Sequence, residues 1–142
     1  MLKGISHVLS PELLKILMEM GHADEIVLGD ANFPAASHAQ RLVRADGHGI
    51  PALLNAILPL FPLDTYVESP VALMAVTPGD TVETPIWDEY REIVQQFHPV
   101  HVQFDEVERF SFYERAKNAY AIVSTGEKAL YANIILKKGV VV

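Results

Sequence analysis

Residues 21–34 read GHADEIVLGDANFP, and within them Glu25–Gly29 forms a short, β-branched, apolar run with turn residues on both sides. A run of that length bounded by turn signals predicts a buried strand rather than a helix. The residues around it predict what the strand carries. His22 precedes it by three residues and Asp30 follows it directly. A proton-transferring ring and a carboxylate are therefore assigned to opposite ends of one strand.

The flanking chain alternates helices and strands. Ser10-Pro11-Glu12 supplies a capping hydroxyl, a first-turn proline and an acid, so a helix starts there. Leu13, Leu14, Leu17 and Met18 keep helical spacing, with Gly21 expected as its left-handed stop. Asn32-Phe33-Pro34 opens a loop, and Arg41 to Ala45 reads as a strand. A helix starts at Pro51 and stops near Pro59, Pro70 to Val76 is a strand, and 77–84 is a loop. A helix over 85–97, a strand over Val100 to Phe104, and a helix over Phe112 to Asn118 follow. Strands over Tyr120 to Ser124 and Tyr131 to Lys137 complete the chain. This alternation is the pattern of an α/β layered fold, and 142 residues without a linker or repeat predict one domain, 1–142.

Composition removes several classes of function. Eleven basic residues against 18 acidic ones, with no basic stripe, argue against a nucleic-acid binder. The absence of cysteine excludes disulfides, thiolate metal sites and cysteine nucleophiles. Met1-Leu2-Lys3-Gly4 does not open a signal peptide and no apolar run approaches a bilayer span, so a soluble, cytoplasmic protein without a membrane partner is expected. Half the residues are apolar, which predicts apolar surface buried between subunits. No GxGxxG, P-loop or GxSxG is present, so no cofactor is implied. His98 and His101 have a spacing that invites a metal, but Pro99 breaks the helical geometry and no metal is expected there.

Ligands of α/β sheets gather at the carboxyl ends of strands. Asp30 sits at that edge, whereas strand geometry puts His22 near the other. The two meet around one ligand only if the backbone bends sharply or a second subunit completes the site. The plainer readings are a helix-stop hydrogen bond for His22 and an Asx turn for Asp30. Arg109 and Tyr113, four residues apart among phenylalanines, supply a cation, a phenol and apolar walls, or only a helix start. Tyr131 and Asn133 point to one face if they lie on a strand. Asp64 is an acid/base group or a turn residue.

Five blocks together resemble the fucose mutarotase / ribose pyranase family: GHADEIVLGDANFP (21–34), RADG (44–47), PLDTYVESP (62–70), RFSFYERA (109–116) and TGEKALYANIILKKGV (125–140). RFSFYERA resembles the fucose branch. The resemblance implies a three-layer α/β/α domain in a ring-shaped homo-oligomer, commonly a decamer, with sites at subunit boundaries. It implies an isomerase that interconverts the α and β anomers of L-fucose by acid/base ring opening and closing, without a cofactor. By position, His22 matches the family's proton donor, and Asp64 and Tyr113 match catalytic positions. Asp30 matches a sugar-binding carboxylate, and Met74, Arg109, Tyr131 and Asn133 match substrate contacts. The alternatives are pyranose/furanose interconversion of ribose and a sugar-binding module without turnover. The loop 77–84 and the segment 95–108 match no block.

Overall fold

Ser10 caps helix α1 (Pro11–Glu19) by accepting the Leu13 N–H. The computed structural model describes residues 1–142. Beyond α1 run β1 (Glu25–Gly29), α2 (Ala35–His38), β2 (Leu42–Ala45), α3 (Ile50–Ile57) and β3 (Val71–Met74). Then come α4 (Pro85–Phe97), β4 (Phe104–Val107), α5 (Arg109–Asn118), β5 (Ala121–Thr125) and β6 (Ile134–Lys137). The strands form one six-stranded sheet in the order β2-β5-β1-β6-β3-β4. β6 alone runs antiparallel, between β1 and β3. The fold is therefore mixed α/β, with helices flanking a central sheet.

Two apolar clusters account for the layering. Leu13 and Leu17 of α1, Leu53 and Ile57 of α3, and Trp87 and Tyr90 of α4 pack with Ile26, Leu28 and Leu73 of the sheet. Val27, Ala72 and Met74, which alternate with those strand residues, pack instead with Ile122 of β5 and with Phe33, Ala35, Phe112 and Ala116 around α2 and α5. Strand alternation sends successive side chains to opposite faces, so both faces of the sheet are covered. A bidentate ion pair from Arg115 of α5 to Glu25 of β1 ties α5 to the sheet.

Several expected boundaries move, each for a local reason. α1 ends without a left-handed Gly21: Met20 is extended, and the positive φ falls at Ala23 (72°). Met18 is exposed rather than part of the apolar stripe. A short helix, α2, follows Pro34 where only a loop was expected. The strand expected over Val100 to Phe104 lies instead at Phe104–Val107. As an edge strand beside β3, β4 buries little, and its Asp105 and Glu106 hide it from apolar patterning. Finally, α5 starts at Arg109 rather than Phe112, because the Glu108 carboxylate caps the Phe110 and Ser111 N–H groups.

Candidate active site

The carboxyl ends of β1, β3 and β4 and the amino end of β6 surround a cleft of about 270 Å³. Six of the eight predicted site residues line it: Asp30, Met74, Arg109, Tyr113, Tyr131 and Asn133. The other two, His22 and Asp64, are paired with each other at the opposite edge of the sheet. β1 alone separates the two edges by roughly 13 Å.

The first turn after β1 positions Asp30. Its Oδ1 accepts the Asn32 N–H at 2.9 Å, the Asx turn that the sequence offered as the plain reading, and the residue nonetheless lines the cleft. Its backbone N–H donates to Asn133 Oδ1 at 2.8 Å, which locks together the exits of β1 and the entry of β6. Gly29 makes room for the turn, since a Cβ there would lie 2.8 Å from the Phe33 ring. Burial pushes the Asp30 carboxyl above its ordinary value, against the pull of the Asn32, Phe33 and Ala132 N–H groups.

Tyr131 and Asn133 are not on a strand. β6 starts at Ile134, and Tyr131 has a left-handed φ of 54°. Helix α4 holds this segment from below: the Trp87 indole N–H donates to the Tyr131 carbonyl at 2.8 Å, and the Tyr90 hydroxyl donates to the Ala132 carbonyl at 2.7 Å. Burial pushes the Tyr90 phenol far up, so it stays a donor. Both predicted side chains reach the cleft through this pinned turn, not through strand alternation.

Arg109 and Tyr113 occupy one face of α5, one turn apart. The Arg109 Nε–H donates to the Tyr113 phenol oxygen at 3.3 Å. Phe33 packs on Tyr113 with ring centroids 5.7 Å apart, and Phe112 on the neighbouring face is fully buried. Phe110, by contrast, is 67% exposed.

At the far edge, His22 Nε2 lies 3.0 Å from Asp64 Oδ1. Asp64 is 3% exposed, whereas the His22 side chain is 45% exposed. Burial alone would raise the Asp64 carboxyl, but the Tyr66 N–H and His22 outweigh it and hold the group below its usual range. Asp64 is thus an acceptor, and the bond requires a hydrogen on Nε2. No bond to helix α1 is made by His22, contrary to its plainer reading; the Tyr66 ring lies 5.3 Å away instead. Backbone pairing with the end of β6 fixes Asp64: its N–H donates to the Lys137 carbonyl, and the Gly139 N–H donates to the Pro62 carbonyl. A Cβ on Gly139 would sit 2.6 Å from the Leu63 carbonyl oxygen.

His98 and His101 border a separate cavity of about 350 Å³ beside Asp64, and no cluster of three or more His, Asp or Glu side chains is placed to hold a metal ion. Sequence reasoning missed Asn32, Phe33, Thr77, Asp80 and Leu130, which also line the cleft. Of these, Thr77 and Asp80 lie in a loop that no motif covered, and only the Pro-Gly turn inside it marked the segment at all.

Residues 3–141 match the model of the RbsD / FucU transport protein family, and the chain belongs to that family. The human protein named fucose mutarotase is 56% identical, over 98% of this chain and 94% of its own length. The L-fucose mutarotase of Actinobacillus pleuropneumoniae serotype 5b (strain L20) is 52% identical, over 99% and 97%. Among solved structures, the fucose mutarotase of Streptococcus pneumoniae in complex with L-fucose superposes with a TM-score of 0.95. It is 55% identical, over 99% of this chain and 100% of its own.

Proposed function

We propose that this chain is an L-fucose mutarotase, an isomerase that interconverts the α and β anomers of L-fucose. The observation that carries the reading is the convergence of Asp30, Met74, Arg109, Tyr113, Tyr131 and Asn133, from four segments of the chain, on one cleft. Such a surface offers carboxylate, phenol, amide and guanidinium groups to a polyhydroxylated ring, with Met74 as an apolar floor.

Anomer exchange needs a base at the anomeric hydroxyl and an acid at the ring oxygen. As the hydroxyl loses its proton, the bond from C1 to the ring oxygen breaks and the ring oxygen takes a proton, leaving the open-chain aldehyde. Rotation about C1–C2 and closure by the reverse steps give the other anomer, with no net change in protons or electrons. His22 fits the base of ring opening and, once protonated, the proton donor of closure, the role its family match implies. Its Nε2–H is committed to Asp64, which leaves the Nδ1 lone pair for the sugar. Tyr113 fits the acid, because its oxygen receives the Arg109 Nε–H and its own hydrogen is free for the ring oxygen. Asp64 serves by orienting His22 rather than by meeting the sugar. A positioned acid and base contribute about 10²–10⁴-fold, which suffices for a reaction that already proceeds in water.

His22 and the cleft lie at opposite edges of one protomer, so the reading places His22 at the cleft of a neighbouring copy in a ring-shaped homo-oligomer, a decamer by family resemblance. Exposed Met18, Tyr66, Val100, Phe110 and Leu130 supply apolar surface for such an assembly. We assign residues 1–142 to one mutarotase domain. No helix is long and apolar enough to cross a membrane, and a cytoplasmic location accords with this reading.

Saturation-transfer NMR of the anomeric protons tests the function. Exchange between α- and β-L-fucose is expected to accelerate with protein concentration, with a much smaller effect on D-ribose. Saturable L-fucose binding without acceleration would make the protein a binding module; equal acceleration of ribose would make it a pyranase.

A further inference from the structure

The loop between β3 and α4 reaches into the cleft through two hydrogen bonds to one phenol. The Tyr131 hydroxyl donates to Asp80 Oδ2 at 2.7 Å, and the Thr77 N–H points at the same phenol oxygen at 3.3 Å. A phenol has one hydrogen and two acceptor positions. The hydrogen is spent on Asp80 and one acceptor position on Thr77, so a single acceptor position is left for the cleft. Asp80 is itself held: its Oδ1 accepts the Val82 N–H at 3.2 Å, and its own N–H donates to the Thr77 carbonyl at 3.0 Å across a turn with Gly79 at φ 90°. At the other end of the side chain, Trp87 pins the Tyr131 backbone.

We propose that Asp80 is a positioning residue that sets the polarity of Tyr131, turning its phenol into an acceptor that a sugar hydroxyl must satisfy by donating. The inference rests on the sugar-binding reading above and extends it to specificity. Tyr113 differs in its hydrogen: its oxygen likewise accepts one bond, from Arg109, but its own hydrogen is free to donate. Asn133 likewise gives its carbonyl oxygen to the Asp30 N–H, leaving its amide hydrogens for a ligand. The cleft thus presents one phenol that can only accept and one that can donate, and the loop 77–84 acquires a role in choosing the sugar.

A panel of monofluorinated L-fucoses tests this, because fluorine in place of a hydroxyl cannot donate. With the parent protein, the analogue fluorinated opposite Tyr131 is expected to bind about tenfold or more weakly than L-fucose. In Asp80→Asn, Oδ1 keeps the Val82 cap while the amide N–H faces the phenol, which releases the phenol hydrogen into the cleft. That one analogue is expected to recover at least about threefold relative to L-fucose, while the other ratios stay fixed. Tyr131→Phe should level the panel at that position and make Asp80→Asn silent on its background, which separates polarity from any loosening of the loop. Panel ratios that Asp80→Asn leaves unchanged, in a protein that binds and exchanges L-fucose, overturn the inference alone. A parent protein that does not bind L-fucose overturns the sugar-binding reading and this inference with it.

Discussion

His22 and Asp64, 42 positions apart in sequence, meet at 3.0 Å with the imidazole partly exposed and the carboxylate buried. A buried acceptor thereby fixes which ring nitrogen carries hydrogen on a surface histidine. His22→Ala is expected to lower the anomer-exchange kcat by about 10²–10⁴-fold with L-fucose affinity changed far less. Asp64→Asn keeps the size but weakens the hold on the tautomer, so its kcat should fall while the fold survives. A kcat for His22→Ala equal to that of the parent would remove histidine from the chemistry.

The carboxylate of that pair depends on a close backbone approach. A Cβ on Gly139 would lie 2.6 Å from the Leu63 carbonyl oxygen, so Gly139→Ala must push residues 62–64 away from β6. We expect a loss of about 1–3 kcal/mol in unfolding free energy together with a fall in exchange rate. Gly47→Ala, where an added Cβ meets nothing within 4 Å, serves as the control and should be nearly silent in urea melts.

Trp87 touches the cleft only through a backbone carbonyl. Replacing it with Phe keeps an aromatic ring in the core but removes the donor to the Tyr131 carbonyl, in a turn held at φ 54°. Loss of that bond should cost about 1–3 kcal/mol of stability and raise KM for L-fucose more than it lowers kcat. Thermal unfolding and steady-state exchange measure the two effects separately.

Asp30 and Asp64 respond to acid in opposite senses. Burial raises the Asp30 carboxyl, so on acidification it takes up a proton before an ordinary aspartate (3.8) would, and the acceptor that the proposed site offers a sugar is lost. L-fucose affinity is therefore expected to weaken as pH falls toward that raised value, and Asp30→Asn should flatten this limb while weakening binding at neutral pH. For stability the signs differ: the cost of ionising buried Asp30 is relieved as pH falls through its raised value. Asp64, held low, contributes stability above its unfolded-state value and loses it as pH falls through its depressed one. Isothermal titration across pH, paired with melts of both variants, checks the two directions.

The strands of the central sheet were readable from sequence because they are apolar and bounded by turn residues, Glu25–Gly29 foremost. β4 was not, since an edge strand reading FDEV buries almost nothing and leaves no periodic mark. His22 and Asp30 were correctly separated to two edges by counting along one strand. Their partners were not derivable, because the Asp64 contact depends on pairing between residues 62–64 and the end of β6, far away in sequence. Tyr131 and Asn133 do share the cleft, but not through the strand alternation their spacing suggests: a left-handed turn pinned by α4 does the placing. Asp80 carried no signal, because an aspartate in a Pro-Gly loop reads as solvated turn chemistry.

The central claim is that His22 of one protomer works on a sugar held in the cleft of another, and mixed assemblies test it most directly. His22→Ala and Tyr113→Phe chains, co-expressed with different tags and purified as mixed oligomers, are assayed for anomer exchange on L-fucose. Each variant alone should be nearly inactive, and the equal mixture should recover about a quarter of the parental rate, the chance that a shared site draws an intact residue from each side. Mixed oligomers as inactive as either variant alone would contradict a site shared between protomers.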